Sequence, residues 1–247
     1  MGREIWIYKS KPEKVTTGLR KLQYNEYGFS PSFENFLSSR QNKGMLATVH
    51  KNSHPITPEL VFEITFWLSE EIDLNDIELN RFLTNEIGLS LIFESSTKSE
   101  ANGFMIFYHD YLDAIQENKG ASKTSEAGVI MDSFDFLNFL DYFILFLNGI
   151  NSLIYGSNHY TSEMNWEIEK IFTERNKEEH FIKQLKSELK KFKSLYTSDP
   201  SSSIDSSLST QAELELINRN FEFLSKSIAI KRKIPNKNEM IIIVDSK

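Results

Sequence analysis

Residues 162–196 run SEMNWEIEKIFTERNKEEHFIKQLKSELKKFKSLY, and the spacing of their apolar side chains decides how the C-terminal third folds. Met164, Ile168, Ile171, Ile182, Leu185, Leu189, Phe192 and Tyr196 keep one alternating four-three register, the seam of a helix that packs lengthwise on another. Arg175 and Glu178 stand on that seam in place of apolar residues. Polar groups there set register and partner choice at a cost in stability, so if both are buried against a partner helix, leucine at both is expected to stabilise the protein but loosen its pairing; otherwise the two positions simply face water. Acids gather in the first half (Glu163, Glu167, Glu169, Glu174) and lysines near the end (Lys186, Lys190, Lys191, Lys193). That order complements the helix dipole and predicts one continuous helix ~50 Å long.

A serine-rich linker follows at 198–209. Thr210 and Glu213 then form a capping box, and Leu214, Ile217, Phe221, Leu224 and Ile228 give a second, shorter seam. Residues 161–231 are therefore expected to be a helical hairpin, a coiled-coil-like arm. The longer seam leaves apolar surface that either docks on the body or forms a homodimer through the 164–196 helix. Residues 232–247 form a tail whose run Met240 to Val244 suits a strand returning to an N-terminal sheet.

Residues 1–160 mix strand and helix signals, so the fold class is α+β: a small, mostly antiparallel sheet with packed helices, then the arm. Glu4 to Tyr8 and Met45 to Val49 suit strands, and Ser30-Pro31 ahead of Phe33, Phe36 and Leu37 suits a helix start. Leu60 to Leu68 has a helix-like start at Thr57-Pro58-Glu59 but alternates as a strand does, and its aromatic and branched content favours strand. Asp76 to Ile87 is helical and stops at Gly88. Leu89 to Glu94 and Phe104 to Tyr108 suit an antiparallel hairpin, and Gly120 to Gly128 a polar loop. Ser133 to Tyr155 is the most apolar stretch, yet Asp135, Asn138, Asp141, Asn148 and Asn151 interrupt it. It is expected to be a wide-faced core helix rather than a membrane span.

The chain has no cysteine, which excludes disulfides, thiolate metal sites and cysteine nucleophiles. With no apolar run of signal length near the start, a cytoplasmic location is expected. The net charge of −7 is uneven: residues 1–160 carry 13 basic and 21 acidic side chains (−8), and residues 161–247 carry 15 and 14 (+1). Glu59, Glu63, Glu70, Glu71, Asp73, Asp76, Glu78 and Glu86 face only Arg81 within one segment. Such a segment disfavours phosphate backbones and favours a basic partner; its bland alternative is a solvated face.

Chemical motifs are sparse. His50 and His54 have metal-like spacing, but Pro55 pulls His54 out of a helix, so no metal is expected. His109-Asp110 ends the expected hairpin and is the one weak catalytic candidate, a general base beside an acid. Asp132 and Asp135 suit a helix start, and Glu178-Glu179-His180 a solvated helix face. Lys231-Arg232-Lys233, with Lys226 and Lys237, is the one basic cluster and equally suits a helix C-terminus. No glycine-rich phosphate loop or nucleophile elbow is present, so no cofactor is expected.

The expectation is a non-enzymatic interaction protein, in one concrete form an inhibitor or immunity-type protein. Glu70, Glu71, Asp73, Asp76 and Glu78 would bind a basic protein partner. The alternative is a hydrolase or nuclease using His109, Asp110 and nearby carboxylates.

Overall fold

The aromatic and branched run at the N-terminus forms β1 (Glu4–Ser10), and hydrogen-bonded strands flank it on both sides. These are β2 (Leu89–Glu94) and β5 (Met240–Ser246); β3 (Lys123–Ser125) and β4 (Gly128–Asp132) complete a five-stranded sheet ordered β2-β1-β5-β4-β3. The computed structural model describes residues 4–40, 56–95, 101, 104, 123–125, 128–155, 160–197, 208–234 and 239–246. Every pairing in the sheet is antiparallel. The fold is α+β.

The C-terminal run does return to the sheet, and it takes the central place. Ile243 lies opposite Ile7 on one side and Val129 on the other. Ile241 to Val244 are all fully buried, so β5 is a continuous apolar run rather than an alternating one. Gly128, at φ +143°, starts β4 where any Cβ would run into the Ile243 carbonyl oxygen. Only glycine lets the two backbones meet there.

Two compact units emerge. Residues 1–97, 121–133 and 236–247 make unit 1; residues 98–120 and 134–235 make unit 2. The boundary expected at 160 falls inside unit 2.

Among the described residues of unit 1, four helices pack on the sheet. α1 (Pro12–Gln23) opens with proline in its first turn and buries Val15, Leu19 and Leu22. α2 (Phe33–Ser39) is capped by Ser32, not Ser30, whose hydroxyl accepts from the Asn35 N–H at 3.3 Å. α3 (Pro58–Phe66) runs on through a π-helical turn, Trp67–Glu71. α4 (Asp76–Phe82) runs into a second π-helical turn, Leu83–Ile87, and stops at Gly88 in the left-handed conformation, φ +83°. The expected 76–87 helix and its stop are both present. The shared core joins Leu60, Val61, Ile64, Trp67 and Leu68 to Leu19, Phe33, Phe36, Ile242 and Val244.

Three expectations are corrected here. Leu60 to Leu68 is helix, not strand. With nearly every residue apolar, alternation carries no information, and the local start decides: Thr57 Oγ1 accepts from the Leu60 N–H at 3.2 Å and Pro58 sits in the first turn. Phe104, expected to open the second strand of a hairpin with 89–94, is helical, and β2 pairs with β1; residues 105–108, like 45–49, lie outside the described residues. Part of the expected 120–128 loop is strand β3, paired with β4.

Unit 2 is built around α5 (Ser133–Tyr155), from Phe134 onward. Phe136, Phe139, Leu140, Phe143, Ile144, Leu147 and Ile150 are buried, as the wide apolar face requires. By length and composition Ser133–Leu153 could cross a membrane, but 67% of its window is buried in the chain's own fold. The expected single long helix is two, α6 (Ser162–Arg175) and α7 (Glu179–Thr197). The break falls on the two polar seam positions, with the Glu178 N–H closing a tight turn onto the Arg175 carbonyl at 2.9 Å. Both halves lie against α5: Arg175 bonds Asp141, Phe181 packs edge-on to Tyr142, and Phe192 edge-on to Phe146. One straight helix would not make all these contacts with a single partner. α8 (Leu208–Arg232) adds Phe223 against Phe143 and an Asn220 Nδ2–H bond to the Leu147 carbonyl at 3.1 Å. Among the described residues, the helices expected as an arm, α6, α7 and α8, each contact α5.

Candidate functional site

Glu70-Glu71-Ile72-Asp73-Leu74-Asn75-Asp76-Ile77-Glu78 bridges the first π-helical turn and α4. Acidic and apolar residues alternate through its first half. Ile72 and Leu74 turn inward and pack on the unit 1 core, while Glu70, Glu71 and Asp73 face out. Two backbone bonds fix the turn: the Ile72 N–H to the Trp67 carbonyl and the Leu74 N–H to the Leu68 carbonyl, each 3.0 Å. Asp73 sits at φ +61°, a conformation that aspartate tolerates better than most residues. Asn75 then caps α4. Its Oδ1 accepts from the Ile77 and Glu78 N–H groups at 3.1 Å, and the Glu78 carboxylate accepts from the Asn75 N–H at 3.3 Å.

All five predicted binding carboxylates, Glu70, Glu71, Asp73, Asp76 and Glu78, are exposed along this one fixed run. Among the described residues none of them forms an ion pair. They are not equivalent. Asp76 and Glu78 lie in the first turn of α4, where the helix dipole and the capping box already use them. Glu70, Glu71 and Asp73 have no such local task. Glu63, counted with the acidic segment in the sequence, is instead buried and pairs with Arg40 at 3.2 Å.

Aromatic side chains lie behind the run. Phe29 meets Trp67 edge-on at 5.7 Å between ring centroids, and Phe33 and Phe36 lie 5.3 and 6.4 Å from it. The Arg40 guanidinium stacks over Phe66 at 4.5 Å and Phe36 at 5.2 Å. An open cleft of about 500 Å³ beside it is lined by Asn35, Ser39, Arg40, Phe66 and Glu71 among others.

Unit 2 holds a polar cluster that the sequence only half revealed. Asp141, on α5, is 3% exposed. Its Oδ2 accepts from Arg175 Nε at 2.9 Å and Nη2 at 2.8 Å, and its Oδ1 accepts from Lys231. Arg175 also donates to Asn138 Oδ1, and through Nη1 to Glu178 Oε1 at 2.8 Å. Burial works against the Arg175 charge, but the bonds to Glu178 and Asp141 outweigh it and raise the guanidinium pKa. Two cations and two carboxylates balance, so the cluster ties α5, α6 and α8 together rather than presenting a net charge. The missed signal was an aspartate in the middle of a helix apolar enough to be buried.

The remaining candidates divide sharply. His109, Asp110, His50 and His54 lie outside the described residues. Asp132 is exposed and Asp135 part-buried; Glu178, Glu179 and His180 are exposed. Three members of the basic cluster are engaged within the chain: Lys231 with Asp141, Arg232 with Glu163 at 2.7 Å, and Lys226 with Glu222 at 2.9 Å; Lys237 lies outside the described residues. Among the described residues no three histidine or acidic side chains gather as metal ligands would.

Comparison of the chain with protein-family models, curated proteins and solved structures gives no match.

Proposed function

We propose that this chain is a non-enzymatic protein-binding module that recognises a basic protein surface through Glu70, Glu71, Asp73, Asp76 and Glu78. An inhibitor or immunity-type protein of the cytoplasm is its concrete form. One observation carries the reading: five exposed carboxylates stand on a run fixed by backbone bonds, and no cation of the described chain neutralises them. Three acids of unit 2 behave otherwise: Asp141, Glu163 and Glu222 each face a cation of the same chain. A fixed array of uncompensated charge raises association rate and selects partners of opposite sign.

The test uses a fluorescein-labelled nona-lysine peptide and reads its anisotropy. Glu70→Lys/Glu71→Lys/Asp73→Lys leaves the α4 cap intact and adds only about 1 kcal/mol of backbone strain at position 73, φ +61°, so the chain stays folded and affinity at low salt falls about tenfold. The difference shrinks as ionic strength passes ~0.15 M and the Debye length falls below ~8 Å. Equal affinity of the variant and the native chain overturns the reading in favour of a merely solvated face.

Self-association through the 162–197 helices is kept as a narrower proposal. Met164, Ile168, Ile171, Leu185 and Phe192 are already buried within one chain, so a dimer would use other residues of α6, such as the exposed Trp166 and Phe172. A light-scattering mass twice 28.7 kDa supports it, and a monomer mass removes it. A hydrolase or nuclease built on His109 and Asp110 draws no support from the described residues.

A further inference from the structure

Beside the acidic run, Phe29, Leu74 and Phe82 line an apolar pocket of about 320 Å³ whose rim carries Glu78, Glu86 and Arg81. That volume is at the low end for ligand sites and suits one long side chain better than a whole cofactor. We propose that this pocket receives a lysine or arginine side chain of the basic partner protein. The inference rests on the acidic-face function proposed above and adds where a partner's side chain anchors.

Three observations point to a cation on an apolar stem. The floor is aromatic and ordered: Phe29 and Phe82 lie 5.3 Å apart, and Tyr27 stands edge-on to Phe82 at 4.8 Å. Ring faces attract ammonium and guanidinium groups within about 6 Å of their centroids. The same aromatic set already holds one cation of this chain, Lys21 Nζ, 5.4 Å from the Tyr27 ring centroid. The local field is negative as well: the Tyr27 phenol is raised above its ordinary pKa first by burial and then by the charges of Glu86 and Glu26. Charge complementarity therefore selects the occupant. An acidic side chain would meet two carboxylates, and a neutral apolar one would bring no charge to Glu86, which forms no ion pair among the described residues.

Arg81 is the one rim charge of the wrong sign, and it makes the assignment testable without disturbing the core. The probes are the peptide Ac-Gly-Ser-Lys-Ser-Gly-NH2, its arginine and norleucine versions, and tetramethylammonium ion. Each is titrated into the full chain while the Leu74 methyl resonances are followed. The lysine and arginine peptides are expected to shift Leu74, with the norleucine peptide at least about fivefold weaker. Arg81→Gln is expected to tighten the lysine peptide about threefold, and Glu86→Gln to weaken it by a similar factor, as single partly exposed charges do. Both changes lie on exposed positions and leave the fold intact. Phe82→Leu, which keeps apolar bulk but removes the ring, is expected to weaken it about fivefold.

Norleucine binding as well as lysine, or an Arg81→Gln chain that binds no better, overturns the proposal. Tetramethylammonium binding as tightly as the peptide would make the pocket a general small-cation site and overturns the partner assignment. The two readings fail separately. A silent Leu74 with nona-lysine binding still lost on reversing Glu70, Glu71 and Asp73 removes the pocket alone. Nona-lysine binding that ignores the reversal removes the acidic-face function itself.

Discussion

Tyr8 shows how much a single group contributes once it is buried. It lies on β1 at 2% exposure, its hydroxyl 3.4 Å from Thr65 Oγ1, and burial pushes its phenol pKa from 10 up to about 12. The neutral form is the one the fold favours. Stability is therefore full below pH 10 and falls as pH rises from about 10 to about 12, by about 3 kcal/mol in total. Urea unfolding across that window should show the slope in the native chain and a smaller one in Tyr8→Phe. Asp141 is the second such residue. Asp141→Asn leaves Arg175 and Lys231 facing each other at 15% and 19% side-chain exposure and should cost about 3 kcal/mol, measured as a lower urea midpoint. Replacing Asp141, Arg175 and Lys231 together by Leu, Met and Met should recover most of that loss, because no buried charge is then left unpaired. Neither residue could be ranked from the sequence. Asp141 bonds to side chains 34 and 90 positions away, and local pattern carries no trace of such partners.

Elements whose start and stop are written locally were legible. The α4 helix carries its cap at Asn75 and its stop at Gly88, and the first turn of α3 carries Thr57-Pro58. Trust in alternation over that cap is what misassigned Leu60 to Leu68. The acidic run was legible for the same reason, as a contiguous stretch, whereas its aromatic backing from Phe29, Phe33 and Phe36 comes from elsewhere in the chain. The 162–197 break was not legible, since Asn176 and Lys177 are neither glycine nor proline and the seam register passes straight through them. Arg175→Leu/Glu178→Leu was expected to stabilise the chain only if both residues were buried against a partner helix. Glu178 is half-exposed and Arg175 is bound to buried Asp141, so the double change should destabilise it by about 2 kcal/mol or more. Glu178→Leu alone, at a half-exposed position, should change little. A double variant more stable than the native chain would mean that the Asp141 pair contributes nothing.

For the whole molecule, the sheet order ranks the strands. β5 is hydrogen-bonded to both β1 and β4, so deleting residues 240–246 splits the sheet into two pairs with no central strand. Unit 1 should then unfold while the helices of unit 2 persist. Trp67, fully buried in the unit 1 core, reports this directly: its emission should shift to the red in the truncated chain and show no urea transition. The central position also sets a timetable for biosynthesis. Ser10 leaves the ribosome 230 positions before Met240, the residue it will pair with. At ordinary elongation rates that gap lasts roughly 10–50 s. Throughout it β1 waits with one edge open while all of unit 2 is synthesised and free to fold, so the nascent chain must be shielded longest at the end it made first.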